Sequence, residues 1–231
     1  MWKSTKVLDM ALKYIDIGAN LTDSMFYGIY NGTRKHPEDL DLVLQRAWQT
    51  GLEKIIITVG TLNEADHALQ IAKRLYVTLG THPTRCGEFL NDAVEYYEGL
   101  QSKILSNPKK IVAIGECGLD YDRLHFCDKE TQKIYFEKQL SLAKEFQLPL
   151  FLHCRNSHED FMCILERNRS VFEACSSGGV VHSFDGSLEE AQKILNFHPQ
   201  FYLGINGCSL KTTGNLKVVS QLLNGMTYDR I

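Results

Sequence analysis

The chain has 231 residues, 44% hydrophobic and 23% charged, enough apolar mass for one domain with a full core. A formal net charge of -3 gives no global basic field, so contact with nucleic acid requires a local basic rim or a metal. Seven cysteines, an odd number with no C-x-x-C pair, argue against a secreted disulfide scaffold and for reduced thiols inside a cell.

The opening MWKSTKVLDMALKYIDIG lacks the uninterrupted apolar stretch of a signal peptide, and no later run approaches a membrane span. The expectation is an intracellular protein with no membrane contact. Seven apolar, β-branched runs then read as strands: YIDIGAN, KIIITVG, YVTLGTH, IVAIGEC, LPLFLHC, GGVVHSF and FYLGING. Most are continuously apolar, as parallel strands covered on both faces are. Cys117, Cys154 and Cys208 sit in or beside these runs, where a thiol behaves as a small hydrophobe.

Helical patterns lie between the strands. Over 37–50, Pro37 suits a first turn, Leu40, Val43, Leu44 and Ala47 form one stripe, and Gly51 stands as a stop. Over 63–75, Asn63 is placed as the N-cap, with Ala65, Ala68, Leu69 and Ala72 inward. Ser187 and Glu190 form a capping-box pattern ahead of Ala191, Ile194 and Leu195. Strand–helix alternation argues for an α/β fold. A doubly wound sheet usually carries a Gly-rich phosphate turn after its first strand, and DIGANLTD has none. Polar residues instead close many strands, which favours a TIM-like (β/α) barrel. The tail KVVSQLLNGMTYDRI contains no convincing eighth strand.

Three strand-like runs carry metal-ligand residues: Glu116 in IVAIGECGLD, His153 in LPLFLHCRN and His182 in GGVVHSFDG. Such groups suit a hydrolase whose catalytic residues sit at the C-terminal ends of barrel strands. A carboxylate and two imidazoles on successive strands fit zinc or manganese, and carboxylate oxygens also admit magnesium. His82, Arg85, Asp120, Arg155 and Asn206 are candidates for substrate contact or for support of the ligands. Asp16 is read equally as a ligand, a supporting acceptor or a carboxylate in the barrel floor. There is no G-x-S-x-G elbow and no P-loop, and Lys109, Lys110, Lys211 and Lys217 are scattered.

The segments YIDIGANLTDSMFYGIYNG, TLGTHPTRCGEF, AIGECGLDYDR, PLFLHCRNSHEDF, VVHSFDGSLEEA and YLGINGCSLKT together resemble the TatD family of metal-dependent deoxyribonucleases. The resemblance runs from Tyr14 to Asn215, and GECGLD, HCRN and HSFDG in that order are specific. It implies one barrel domain over 1–231 that hydrolyses phosphodiester bonds of DNA, as an exonuclease, with divalent metal ions, two in the intact family site. Glu116, His153 and His182 map onto the family's metal ligands. Asp16, Ile17 and Gly18 stand where many members carry H-x-H. Members continue into an ETDAP-like strand whose Asp is a ligand, and this sequence diverges near Lys217. The expected barrel therefore holds seven strands, lacks the eighth, and is incomplete at its C-terminus. Impaired catalysis with a binding or regulatory role is one alternative, and a small-molecule amidohydrolase is another. The resemblance points to the nucleus, with the cytoplasm also open.

Overall fold

In chain order, strand β1 (Tyr14–Ala19) leads through a 3-10 turn (Ser24–Tyr27) to a small hairpin, β2 (Ile29–Tyr30) and β3 (Thr33–Arg34). Next come α1 (Leu40–Gln49), β4 (Leu52–Ile57), α2 (Leu62–Ile71), β5 (Tyr76–Leu79), a 3-10 segment (Pro83–Leu90) and α3 (Ala93–Ser106). Then follow β6 (Ile111–Asp120), α4 (Lys129–Phe146), β7 (Leu150–Arg155), α5 (His158–Arg167) and α6 (Arg169–Ala174). The series closes with β8 (Gly179–Val181), α7 (Leu188–Phe197), β9 (Phe201–Leu203) and α8 (Thr213–Gly225). This computed structural model describes residues 13–72, 75–174, 178–207 and 213–225. The start of the opening segment, Cys208, Lys211 and the last six residues of the tail lie outside them.

Seven strands form one sheet in the order β1-β4-β5-β6-β7-β8-β9, every neighbouring pair parallel. Spatial order follows chain order without reversal. A doubly wound sheet reverses at a switch point, whereas a βα barrel does not. Among the described residues no eighth strand joins β9 to β1. Both therefore stand at sheet edges, with Tyr14, Ile15 and Ile17 of β1 exposed. From Lys217 to Gly225 the tail read as lacking a strand is helix α8.

Inward-facing residues of the helices pack on the sheet: Ala65 and Ala68 of α2, Leu100 and Ile104 of α3, Phe136 and Leu140 of α4, Phe161 and Leu165 of α5, Ile194 and Leu195 of α7. The Phe136 and Phe161 rings stack 5.4 Å apart, tying α4 to α5. Each such ring contributes roughly 2–3 kcal/mol through burial.

The stripe of α1 and the capping box of α7 are as read, the latter with both reciprocal hydrogen bonds. Two boundaries differ. Helix α2 is capped by Thr61, whose Oγ1 accepts from Glu64 N at 3.3 Å, and not by Asn63. Tyr96 hydroxyl accepts from Leu62 N at 3.0 Å, so a residue on α3 fixes where α2 begins. Helix α1 starts at Leu40, and Pro37 precedes it, because Asp39 N–H is tied to the Phe26 carbonyl at 3.2 Å.

Candidate metal centre

Glu116 lies inside β6, not at its end. Pairing with β7 slips between Ile114 and Cys117, and the strand then runs on to Asp120. Two glycines permit this. Gly115 and Gly118 hold φ of 141° and 142°, and a Cβ at either would collide with the carbonyl of Phe151 or His153. The backbone of β6 thus presses onto β7 and turns the Glu116 side chain into the mouth. Glu116 N donates across to the Val59 carbonyl at 3.2 Å, which ties β6 to the end of β4.

At Glu116 Oε1 three imidazoles converge: His182 Nε2 at 2.6 Å, His153 Nδ1 at 2.8 Å and His82 Nε2 at 3.5 Å. Glu116 is 9% exposed and His153 6%. Glu116, His153 and His182 each present a ligand atom within 4.8 Å of the other two. One carboxylate oxygen and two imidazole nitrogens at that spacing fit a borderline divalent cation. The chain's donor set therefore suits the metal expected from its sequence.

Each histidine of the trio is oriented by a neighbour. His153 faces the site through Nδ1, and its Nε2 donates to Asp120 Oδ2 at 3.1 Å. Asp120 is 0% exposed and also accepts from Asp122 N at 3.1 Å. His182 faces the site through Nε2, so its Nδ1–H donates to Ser183 Oγ at 3.0 Å. Asn206 Nδ2 donates to the same oxygen at 2.6 Å. The Phe151 ring stacks on His182 with centroids 4.5 Å apart.

Burial pushes the Glu116 carboxyl upward, but its contacts with the His153 and His182 rings, with the His82 ring nearby, hold it well below the usual carboxylate range. Burial pulls His153 downward, yet its bonds to Asp120 and Glu116 outweigh that and raise it. Asp120 stays below the ordinary value because the His153 contact and the nearby Arg123 and Arg155 overcome burial. Burial lowers His82 to about 4 despite the pull of Glu116. His82 Nδ1 accepts from Thr84 N at 3.2 Å, so the neutral ring carries its proton on Nε2. That tautomer makes His82 a hydrogen-bond donor toward the site. His82, Asp120 and His153 form a second potential ligand group, in which His153 Nε2 is bonded to Asp120 and His82 Nδ1 to Thr84.

A cavity of about 540 Å³ opens above Glu116, and Arg85, Arg123 and Arg155 line it together with His82 and Asn206. Arg155 also borders a neighbouring cleft of about 670 Å³ that contains Tyr121, Asn156 and Asp185. Arg85 pairs with Glu88 at 3.4 Å and Arg155 with Asp185 at 3.6 Å. Asp120 is not in the lining; it sits behind His153. The Asp16 carboxylate accepts from Gly18 N at 3.0 Å and belongs to neither ligand group.

Two buried glutamines went unnoticed in the sequence. Gln139 on α4 accepts from Thr81 N at 2.6 Å and donates to the Thr81 carbonyl at 3.1 Å. Gln132 accepts from Asp120 N at 2.8 Å and donates to the carbonyls of Asp120 and Cys127 at 3.0 and 2.8 Å. They hold the backbone beside His82 and at Asp120. The available signal was two amides one heptad apart on the apolar face that carries Phe136, Leu140 and Ala143.

A family model described as TatD related DNase matches residues 15–230. A deoxyribonuclease Tat-D of Schizosaccharomyces pombe is 43% identical over 218 residues, covering 90% of this chain and 68% of its own. A 3'-5' ssDNA/RNA exonuclease TatD of Salmonella typhimurium is 33% identical over 197 residues, covering 83% and 66%. The crystal structure of a hydrolase TatD family protein from Entamoeba histolytica superposes with a TM-score of 0.83 at 41% identity, covering 96% of this chain and 72% of that one.

Proposed function

The chain belongs to the TatD-related DNase family, and we propose that it hydrolyses phosphodiester bonds of DNA with divalent metal, releasing nucleotides from strand ends. The observation that carries this reading is the meeting of Glu116, His153 and His182 under a cavity walled by three arginines. Carboxylate and imidazoles suit a cation, and guanidinium groups suit the phosphate brought to it.

Glu116 Oε1, His153 Nδ1 and His182 Nε2 would hold the metal. When bound, a divalent cation supplies Lewis acidity, lowering the pKa of water and offsetting phosphate charge. Asp120 keeps the His153 proton on Nε2 and so leaves Nδ1 free to ligate. Ser183, secured by Asn206, does the same for His182 from the other side of the ring. Arg85, Arg123 and Arg155 bind and orient the phosphate, and His82 Nε2–H donates to one of its oxygens. The absence of a global basic field fits engagement of strand ends at a local mouth better than wrapping of duplex.

Free thiols at Cys86, Cys117, Cys127, Cys154 and Cys163 support a reducing, intracellular setting. No helix among the described residues is long and apolar enough to cross a membrane. The chain spans about two-thirds of the length of its curated relatives, so its own turnover is the quantity to measure. A labelled single-stranded oligonucleotide, Mg²⁺ or Mn²⁺ and a Glu116→Ala control suffice. Metal-dependent release of nucleotides, abolished in the variant, is expected. A folded wild-type chain that releases none with either ion, or that turns over only a neutral ester, would sink the reading.

A further inference from the structure

All seven strands of the sheet run parallel, so the turns that follow them share one end, the end where the mouth lies. Directly after β6 comes a 3-10 turn (Tyr121–Arg123), then Leu124, His125 and Phe126, before α4 begins at Lys129. Arg123 lines the cavity above Glu116, with its Nε 3.9 Å from Asp120 Oδ2. Three residues on, Phe126 is 62% exposed, alone among the chain's eleven phenylalanines in being exposed. It belongs neither to the core nor to the side chains packed against it.

The backbone fixes this ring outside. Phe126 N donates to the Arg123 carbonyl at 3.0 Å, and the carbonyl of the next residue, Cys127, accepts from Gln132 Nε2 at 2.8 Å. Cys127 is 6% exposed, and Gly87 N–H donates to its sulfur from the 3-10 segment that carries Arg85. The turn is thus pinned beside two of the three cavity arginines. Tyr121, the other large aromatic of this loop, has uses within the fold: its hydroxyl donates to Asp160 at 2.6 Å, and Lys129 Nζ lies 4.3 Å from its ring centre. Among the described residues the Phe126 ring meets no aromatic or cation but the adjacent His125, with centroids 4.1 Å apart. Singly exposed apolar residues are ordinary on a surface. This one is set apart by its place, on a pinned turn at the mouth, three residues from a cation that faces the cavity.

We propose that Phe126, backed by His125, is a platform on which an unpaired base of the DNA strand stacks while Arg123 holds a neighbouring phosphate. The proposal rests on the nuclease reading above and assigns a residue to the choice of substrate form. Every base has a π-face, so an aromatic ring beside a phosphate-binding cation grips a single strand without reading its sequence. Inside a duplex the bases are already stacked and paired, and the ring has only a terminal base to meet.

The test compares wild type with Phe126→Ala and Phe126→Trp. Binding is read by fluorescence anisotropy without metal, on a labelled oligothymidylate and on a base-free strand of tetrahydrofuran phosphates of equal length; KM is read in cleavage with Mg²⁺. Phe126→Ala should bind the oligothymidylate about tenfold more weakly and show a KM raised by a similar factor, the size of one base–aromatic stack. It should bind the base-free strand within about twofold of wild type and melt at the wild-type temperature. Phe126→Trp should restore oligothymidylate binding, with its added emission quenched by that strand and not by the base-free one. Equal binding of oligothymidylate by Phe126→Ala and wild type would overturn the proposal. So would equal weakening on both strands, which would mean that the ring merely places Arg123, or a dimer of wild type that Phe126→Ala dissolves, which would make the ring a contact between copies. A wild type that cleaves, beside a Phe126→Ala of unchanged KM, would keep the nuclease reading and remove the platform. A wild type that cleaves nothing yet binds oligothymidylate tenfold more tightly than Phe126→Ala would do the reverse.

Discussion

Replacing Asp120 by asparagine tests how the proposed metal ligands are held. The substitution keeps the shape of a fully buried side chain and removes its charge. What it weakens is the 3.1 Å bond from His153 Nε2–H, the contact that leaves Nδ1 facing Glu116. A hydrogen bond to a charged acceptor contributes about 1.5–3 kcal/mol. Arg123 stands 3.9 Å from the same carboxylate and already offsets part of its charge, so the lower half of that range applies. About 2 kcal/mol corresponds to roughly a 30-fold loss of metal affinity, within the ten- to hundredfold effect general for partners of metal-bound histidine. Mn²⁺ titration followed by electron paramagnetic resonance measures it directly. Nitrogen chemical shifts of His153 in metal-free protein should also move toward the Nδ1–H tautomer. An affinity within twofold of wild type, with unmoved shifts, would refute the orienting role.

Gln132→Leu should destabilise the fold by roughly 2–4 kcal/mol, because it strands the buried N–H of Asp120 and two carbonyls, and chemical denaturation will read it. Wild-type stability would mean that water replaces the amide. Arg155→Ala should raise KM and reduce the salt slope of binding by about one counterion, whereas Asp185→Asn, by releasing Arg155, should lower KM; no change in either would remove Arg155 from phosphate binding. The pH response should split with metal. A raised His153 pKa gives stability fully present below about pH 6.5 and lost as pH climbs through the folded-state value, so metal-free protein should melt earlier at about pH 8.5 than at pH 6.5. Mn²⁺ affinity should rise over that interval, since proton and cation compete for Nδ1, and parallel trends in the two measurements would contradict this.

The strand order and the meeting of Glu116, His153 and His182 were legible because both follow one-dimensional patterns. Continuous apolar runs such as IVAIG and LPLFL, short and rich in β-branched and aromatic residues, read as strands covered on two faces, and His153 and His182 fall where such runs meet the mouth. What was hidden depends on contacts across the chain. Glu116 looked like a strand terminus, but the slip at Gly115 and Gly118 places it mid-strand. Asp120 was open between substrate contact and support of the histidines; only its register opposite Arg155, beside His153, favours the support. Thr61 displaced Asn63 as a cap through a tyrosine hydroxyl from another helix.

Gln132 and Gln139 sit on one uninterrupted helix, so their separation along its axis is fixed at about 10.5 Å. Each clips a different strand end, one leading into His82 and the other carrying Asp120. Helix α4 therefore works as a spacer bar behind the mouth. Sliding or bending it by half a turn would drag both clipped backbones together, moving the proton donor and the brace of His153 in step. An inhibitor wedged under the outer face of α4 would act on the proposed metal ligands from behind, without entering the cavity above Glu116.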